Sequence, residues 1–167
     1  NLSNIESMSR CQATFNTHVL IWEASALIIL MLVAIAIYWF TPYWKIKRES
    51  LKPLDLQASP ELENYLQKLC QKAGIKKQPI FLTKPFSGTL SGLAFGRSKQ
   101  YYIVLPGGLV AYFNKNRAIF RAVVLHELAH IRNHDVNKTY FTLAVWWAFV
   151  WVAVVPFVLA NIWRPSQ

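Results

Sequence analysis

Two long, almost wholly apolar stretches divide the chain. The first runs from Val19 to Phe40 with Glu23 as its only charged residue, and the second runs from Tyr140 to Trp163 with none. A helix rises about 1.5 Å per residue, so each stretch is long enough to cross a hydrocarbon core of about 30 Å. The pattern predicts two transmembrane helices, at residues 19–40 and 139–163, on either side of a soluble segment at residues 41–138.

The first stretch is longer than the apolar part of a secretory signal, and no small-residue cleavage site follows it, so we interpret it as a retained anchor. Pro42 is expected to help end this helix, with a linker that runs to about Ala58. Glu23 leaves two interpretations open. It is either an intramembrane acid with a function or an acid at the outer interface beside His18 and Trp22.

The soluble segment changes between helical and strand patterns, which predicts a small α+β domain. Ser59-Pro60-Glu61 has the residues of a helix start, and Gly74 supplies the stop. Asn116 is a suitable N-cap for the longest helix, which is apolar on almost every side and is therefore expected to be buried. The predicted elements are a helix from Pro60 to Gly74, strands at Pro79–Thr83 and Tyr101–Leu105, a short edge strand at Leu93–Phe95, and helices at Leu109–Asn114 and Arg117–His134.

Composition and charge indicate a membrane protein whose soluble part faces the cytosol. Only 16% of the residues are charged, against about a quarter in soluble domains. Of the 18 Lys and Arg residues, all but two lie between Lys45 and Lys138. By the positive-inside rule that segment is cytosolic, with short extracytoplasmic ends at residues 1–18 and 164–167. The net charge of +10 thus indicates topology and contact with the lipid bilayer, and no nucleic-acid partner is expected.

The two cysteines form no visible metal or disulfide pattern. Cys11 and Cys70 fall on opposite sides of the membrane in this topology, and the chain has no Cys-x-x-Cys spacing. They cannot pair with each other, and we interpret both as small buried or surface thiols.

The strongest chemical signal is the sequence His126-Glu127-Leu128-Ala129-His130 on the longest predicted helix. Histidines four residues apart stand on one face of a helix, where both imidazoles can reach one tetrahedral zinc ion at about 2.0–2.1 Å. Glu127 can reach a zinc-bound water from the side and act as the catalytic base. Polar groups in so apolar a helix are costly unless they are paired or coordinated, which favours a Zn2+ site.

Two residues that follow this motif have open roles. His134 continues the spacing, but eight helical residues rise about 12 Å, too far for one zinc ion, so we expect it at the surface or on the substrate side. Asp135 either orients a metal ligand or simply ends the helix. A third protein ligand is missing from the chain as given, because every other acidic residue lies upstream of the motif.

The segment from His126 to Asp135, together with the preceding Tyr102–Pro106, resembles the HtpX-type and prenyl-protein-protease-type integral-membrane zinc metallopeptidases. It is also similar to the transducer peptidases of penicillin-sensing receptors. The resemblance covers about residues 51–163 and implies a gluzincin-like catalytic domain flanked by transmembrane helices, with the two histidines as zinc ligands and the glutamate as base. It also implies a third ligand, a glutamate after a further membrane span, so the sequence is expected to stop before its active site is complete.

The resemblance further implies an edge strand that binds the substrate backbone by β-augmentation, which falls on Leu93, Ala94 and Phe95. HtpX-type members usually have an Asn-Ala-Phe run there, whereas Gly92, Leu93 and Ala94 precede Phe95 in this chain. A purely structural hairpin is therefore the alternative for these residues.

Together these patterns predict a membrane-bound zinc metalloendopeptidase of the bacterial plasma membrane, which hydrolyses membrane or membrane-proximal proteins or peptides through a glutamate-activated, zinc-bound water. One alternative is a catalytically incomplete sensor or scaffold that retains the zinc helix. Another is a bis-histidine haem or iron protein, which is disfavoured because two histidines on one helix face would crowd a porphyrin. The motif determines neither the biological substrate nor the oligomeric state.

Overall fold

The computed structural model describes residues 2–97 and 100–163, and it places the side chains of residues 17–97 and 100–163. The predicted end segment at residues 164–167 therefore lies outside the described residues. Tyr38–Thr142 form one compact unit, and the rest of the chain forms a second. The elements in order are α1 (Leu2–Arg48), β1 (Lys52–Pro53), α2 (Pro60–Lys72), β2 (Ile80–Lys84), β3 (Leu93–Arg97), β4 (Gln100–Pro106), α3 (Gly107–Lys115), α4 (Arg117–Arg132), α5 (Asp135–Phe149), a π-helical segment (Val150–Val154) and α6 (Val155–Ile162).

Two helical stretches are long and apolar enough to cross a membrane, Thr17–Arg48 with 32 residues and Asp135–Ile162 with 28. Most of their large hydrophobic side chains are exposed. Such a surface is unfavourable in water and fits a lipid environment. Among the side chains that the structure places in the second unit, the buried ones are small: Ala34, Ala144 and Ala148.

Two prolines lie inside these helices, and neither breaks them. The expectation that Pro42 ends the first helix is wrong, because α1 continues to Arg48. Beyond Pro42, Ile46 and Leu51 pack against residues of the sheet, and this burial offsets the hydrogen bond that the proline removes. Pro156 is the second residue of α6, two residues after the end of the π-helical segment, and proline is tolerated in the first turn of a helix.

The four strands form one mixed sheet in the order β1-β2-β4-β3. β2 and β4 are parallel, whereas β3 pairs antiparallel with β4 and so lies at an edge, with Ala94 opposite Ile103. β1 falls in the predicted linker and pairs antiparallel with β2. The α+β class and the edge position of Leu93–Phe95 are therefore as the sequence predicts.

The sheet has two covered faces, since successive side chains of a strand point to opposite sides. We call one the helical face; Ala94 and Ile103 lie on it and pack in the core that also contains residues of α2, α3 and α4. We call the other the anchor face; Phe95 and Val104 lie on it with Leu51, against the end of α1 and the start of α5. β3 contributes neighbouring residues to both faces.

Cys70 is a free, buried cysteine at the end of α2. Burial raises the pKa of the Cys70 thiol to about 11, because an apolar environment disfavours the charged thiolate. The thiol therefore stays protonated and unreactive near neutral pH.

Candidate active site

α4 carries the histidine and glutamate motif and begins at a well-formed cap. Asn116 Oδ1 accepts hydrogen bonds from the backbone amides of Ala118 and Ile119 at 3.1 and 3.2 Å. One side of the helix is fully buried in the helical-face core at Phe120 and Val124. The opposite side reaches the surface, and His126 lies on that side.

The expectation that α4 is buried all round is therefore wrong. Its exposed residues include Ala118, Ala122, His126 and Ala129, which recur at helical spacing. Alanine counts as apolar in a sequence pattern, yet its exposure costs little because it has only one methyl group. The exposed side of α4 thus carries alanines and His126 together with arginines such as Arg121.

His126 and His130 face each other one turn apart on α4. Their Nε2 atoms are 3.2 Å apart and their rings lie 4.7 Å apart at 80°. Two metal–nitrogen bonds of about 2.0–2.1 Å would span this separation at an angle of about 100°, close to tetrahedral. The pair therefore fits one zinc ion, and imidazole is a donor that zinc prefers.

Asp135 lies behind His130. Its Oδ2 is 3.4 Å from His130 Nδ1, and it is the first residue of α5. A carboxylate at this position favours the tautomer with the proton on Nδ1, which leaves the Nε2 lone pair free for a metal. Asp135 is expected either to orient a metal ligand or to end the helix, and this geometry agrees with the first role.

His134 does not belong to this group. α4 ends at Arg132, and His134 then adopts a φ of 59°, in the left-handed region that residues other than glycine rarely occupy. This turn directs the chain so that Asp135 returns towards His130, whereas His134 lines a separate cavity. The rise of α4 does not set the position of His134, because the helix ends before this residue.

Glu127 is the one charged residue among the described residues that is buried, with 8% of its surface exposed. Its Oε2 accepts a hydrogen bond from the backbone amide of Ala94 at 2.7 Å. A buried carboxylate needs such donors because it has lost its hydration, and hydrogen bonds to an ionised acceptor are among the strong ones. β3 thereby fixes the position of one carboxylate oxygen.

Gly92 completes the surroundings of Glu127. A Cβ atom at Gly92 would lie 2.8 Å from Glu127 Cγ and 3.3 Å from Val123 Cγ1. Only a residue without a side chain fits there, so Gly92 allows the segment before β3 to cross directly over the glutamate. Sequence reasoning missed this role; the available signal was a buried glutamate that needed a partner, beside a glycine before a strand.

The three predicted substrate-binding residues have different environments. Leu93 is 38% exposed, and the Ala94 amide contacts Glu127. Phe95 has its ring fully buried on the anchor face, stacked 5.1 Å from the ring of Tyr102. Any contact of Phe95 with a ligand is therefore through its backbone.

Within residues 17–97 and 100–163, no group of three His, Cys, Asp or Glu side chains is arranged to hold a metal ion. The described residues thus bring together two facing imidazoles and a buried carboxylate on one helix, with the carboxylate of Asp135 behind one imidazole. An H-E-x-x-H helix against a mixed sheet is the arrangement of a metallopeptidase domain.

Comparisons with known proteins agree with this class. Residues 56–165 match the family model for Peptidase family M48, which is more than half of the chain. The chain belongs to this family, and membership implies a metal cofactor.

The chain is similar to several proteins named "Protease HtpX homolog". It is 33% identical over 109 residues to that of Bacteroides fragilis (strain YCH46), a match that covers 64% of this chain and 33% of the relative. It is 27% identical over 99 residues to that of Pyrococcus furiosus, which covers 59% of this chain and 33% of the relative. The chain thus spans about a third of the length of these curated relatives. No solved structure matches the chain significantly.

Proposed function

We propose that this protein is a membrane-bound zinc metalloendopeptidase that cleaves membrane or membrane-proximal proteins. The observation that carries the proposal is the facing pair of Nε2 atoms of His126 and His130, 3.2 Å apart, on the same helix as a buried glutamate. Family membership and the two apolar helices support it.

His126 and His130 would hold the zinc ion, and Asp135 would keep the His130 ring in its metal-binding tautomer. When bound, zinc supplies a Lewis acid that acidifies water and polarises a peptide carbonyl. Glu127 is the base in this proposal. It takes one proton from the attacking water, whose oxygen forms the new bond to the carbonyl carbon, and delivers that proton to the amine nitrogen as the C–N bond breaks.

The substrate would lie along β3, since this strand is at the edge of the sheet and can pair with an extended peptide. The Ala94 amide contacts the carboxylate of Glu127, so a peptide on this edge passes the base. Leu93, Ala94 and Phe95 would then contribute mainly main-chain groups, other than the Ala94 N–H, which donates to Glu127. Cleavage would depend on backbone position more than on side-chain identity.

We place the catalytic unit on the cytosolic side of a bacterial plasma membrane. The last turn of α1 contains Lys45, Lys47 and Arg48, and Arg132 lies just before the second candidate span. Basic residues concentrated at both of these positions follow the positive-inside rule.

The decisive experiment replaces Glu127 by Gln in the full-length protein and measures both peptide hydrolysis and bound zinc. Hydrolysis should fall by about a hundredfold to ten-thousandfold, the range for a lost general base, while zinc remains bound because the histidines are intact. Glu63→Gln, at a partly exposed position on α2, is the matched control and should keep full activity.

Substantial proteolysis by E127Q would exclude the proposed mechanism. A wild-type protein that binds zinc stoichiometrically but cleaves no protein or peptide substrate would instead identify a sensor or scaffold that retains the zinc helix.

A further inference from the structure

A cavity of about 410 Å³ lies at the end of α4, apart from the histidine pair. Its walls come from the segment between α2 and β2, the first residues of β2 and β4, and the end of α4 with His134. Cavities of this size fall in the range that holds small ligands. No step of the proposed reaction uses it.

The wall of the cavity is strongly basic. Lys76, Lys77, Arg132 and His134 line it, and none of the described residues around it is acidic. A cation in the last turn of a helix, such as Arg132, is explained by the helix dipole. The two lysines lie beyond the end of α2, so the dipole of that helix does not account for them.

His134, which lines this wall, has an unusual backbone conformation. Its φ of 59° is a conformation that is sterically costly for any residue with a Cβ atom. Conformations of this kind concentrate at ligand sites and switch regions. Here the turn adds a fourth basic side chain to the cavity.

The cavity also has an apolar part. Ile80, Tyr101 and Ile131 contribute to its lining, and Gln78 and Gln100 add amide groups that can donate hydrogen bonds. A ligand that matches the basic and the apolar lining residues has two portions. One is an anionic group with several acceptor oxygens, and the other is apolar. Phosphate satisfies the first requirement better than a carboxylate does, since it offers more acceptors to several cations.

We propose that this cavity binds the phosphate group of an anionic phospholipid. His134 immediately precedes Asp135, where the second candidate membrane span begins. The apolar run starts at Tyr140, and six helical residues rise about 9 Å, so the cavity lies near the level of the lipid headgroups. Basic pockets at this level attract anionic lipids.

The test uses the full-length protein in detergent and native mass spectrometry with added dioleoylphosphatidylglycerol. Lys76→Gln combined with Arg132→Gln removes two cations from the cavity. The matched control, Lys68→Gln with Lys115→Gln, removes two exposed cations elsewhere in the same unit. The cavity variant should bind the lipid about tenfold more weakly or worse, and the control should change by less than about twofold.

Two further probes identify the source of the phosphate. Dioleoylphosphatidylcholine should bind much more weakly than the anionic lipid, because its headgroup has no net charge. The ³¹P NMR signal of inorganic phosphate should broaden in the presence of the wild-type protein and not in the presence of the cavity variant. Binding of phosphate without binding of lipid would overturn the lipid assignment and assign the site to a free phosphate compound. Equal loss of lipid in both variants, equal binding of the two lipids, or no binding of any probe would overturn the proposal.

Discussion

The two faces of the sheet differ in what they contribute. The helical face is covered by α2, α3 and α4, and α4 carries the histidines and the glutamate. The anchor face is covered by the end of α1 and the start of α5, the two helices that can span a membrane. The motif and the end of α1 thus lie on opposite faces of the sheet, whereas α5 contributes Val136 to the helical face and Tyr140 to both.

β3 makes contacts on both the helical face and the anchor face. Ala94 donates its amide to Glu127 on one side, whereas the ring of Phe95 on the other side lies 5.4 Å from the ammonium of Lys45 in α1. Arg97, at the end of the strand, donates a hydrogen bond to the Trp39 carbonyl at 3.1 Å. The strand whose amide contacts Glu127 is therefore held on its other side by the end of α1.

The largest expected effect is on the helical face. His130→Ala should abolish zinc binding by the full-length protein, because a single remaining histidine on this helix cannot chelate the ion. Metal content after dialysis, measured by inductively coupled plasma mass spectrometry, tests this. His134→Ala is the control and should retain zinc, since His134 turns away from the pair. Loss of zinc in both variants would contradict the assignment of the pair as the centre.

The next effect is on the anchor face. Phe95→Ala should destabilise the protein by about 3–5 kcal/mol, because it opens a cavity at a fully buried position. Phe86→Ala, at a side chain that is wholly exposed, should change stability by less than about 0.5 kcal/mol. Denaturant unfolding in detergent, followed by tryptophan fluorescence, measures both. Folded F95A protein should still bind zinc, and an F95A variant as stable as F86A would show that the anchor face does not support β3.

A smaller effect is expected at the contact between Gly92, just before β3, and Glu127. Gly92→Ala should lower kcat of the proposed peptidase by about tenfold to a hundredfold, because the new methyl group displaces Glu127 by a fraction of an ångström or more. Zinc content should not change. The control, Gly88→Ala, adds the same methyl group at a position where a Cβ atom has no neighbour within 4 Å. Its activity should equal that of the wild type. Equal activity of the two variants would mean that Glu127 tolerates displacement.

The smallest effect concerns the acid behind His130. Asp135→Asn should weaken zinc binding by about tenfold, the lower end of the range for an orienting partner, since the contact is long at 3.4 Å. Competition with a chromophoric chelator measures the affinity. Asp55→Asn, which removes a carboxylate that accepts from the Ala58 amide, should leave the affinity unchanged. If D135N binds zinc as tightly as the wild type, Asp135 only begins α5.

The elements that could be predicted from the sequence are those that depend on residues close together in the chain. The cap at Asn116, the spacing of His126 and His130 and the strand at Leu93–Phe95 each depend on residues close together in the chain, and all three patterns are present in the fold. Periodicity was less reliable for α4, whose alanines were counted as buried although they line its exposed side.

The remaining features depend on contacts between distant residues. α1 continues past Pro42 because Ile46 packs on strands that come much later in the chain. The contact of Ala94 with Glu127 joins residues 33 apart and uses a backbone amide, which has no sequence signature. Asp135 returns to His130 because of a left-handed turn at a histidine, where a glycine would have been the expected signal.

The alternation along β3 also has a consequence for insertions and deletions. Substitution at Ala94 or Phe95 alters one face of the sheet at a time, so each position can vary with its own neighbours. A one-residue change in length before Ala94 would instead exchange the two residues, placing the aromatic ring on the helical face and the alanine on the anchor face. Homologous chains should therefore differ in residue type along this strand while preserving the number of residues between Gly92 and Phe95.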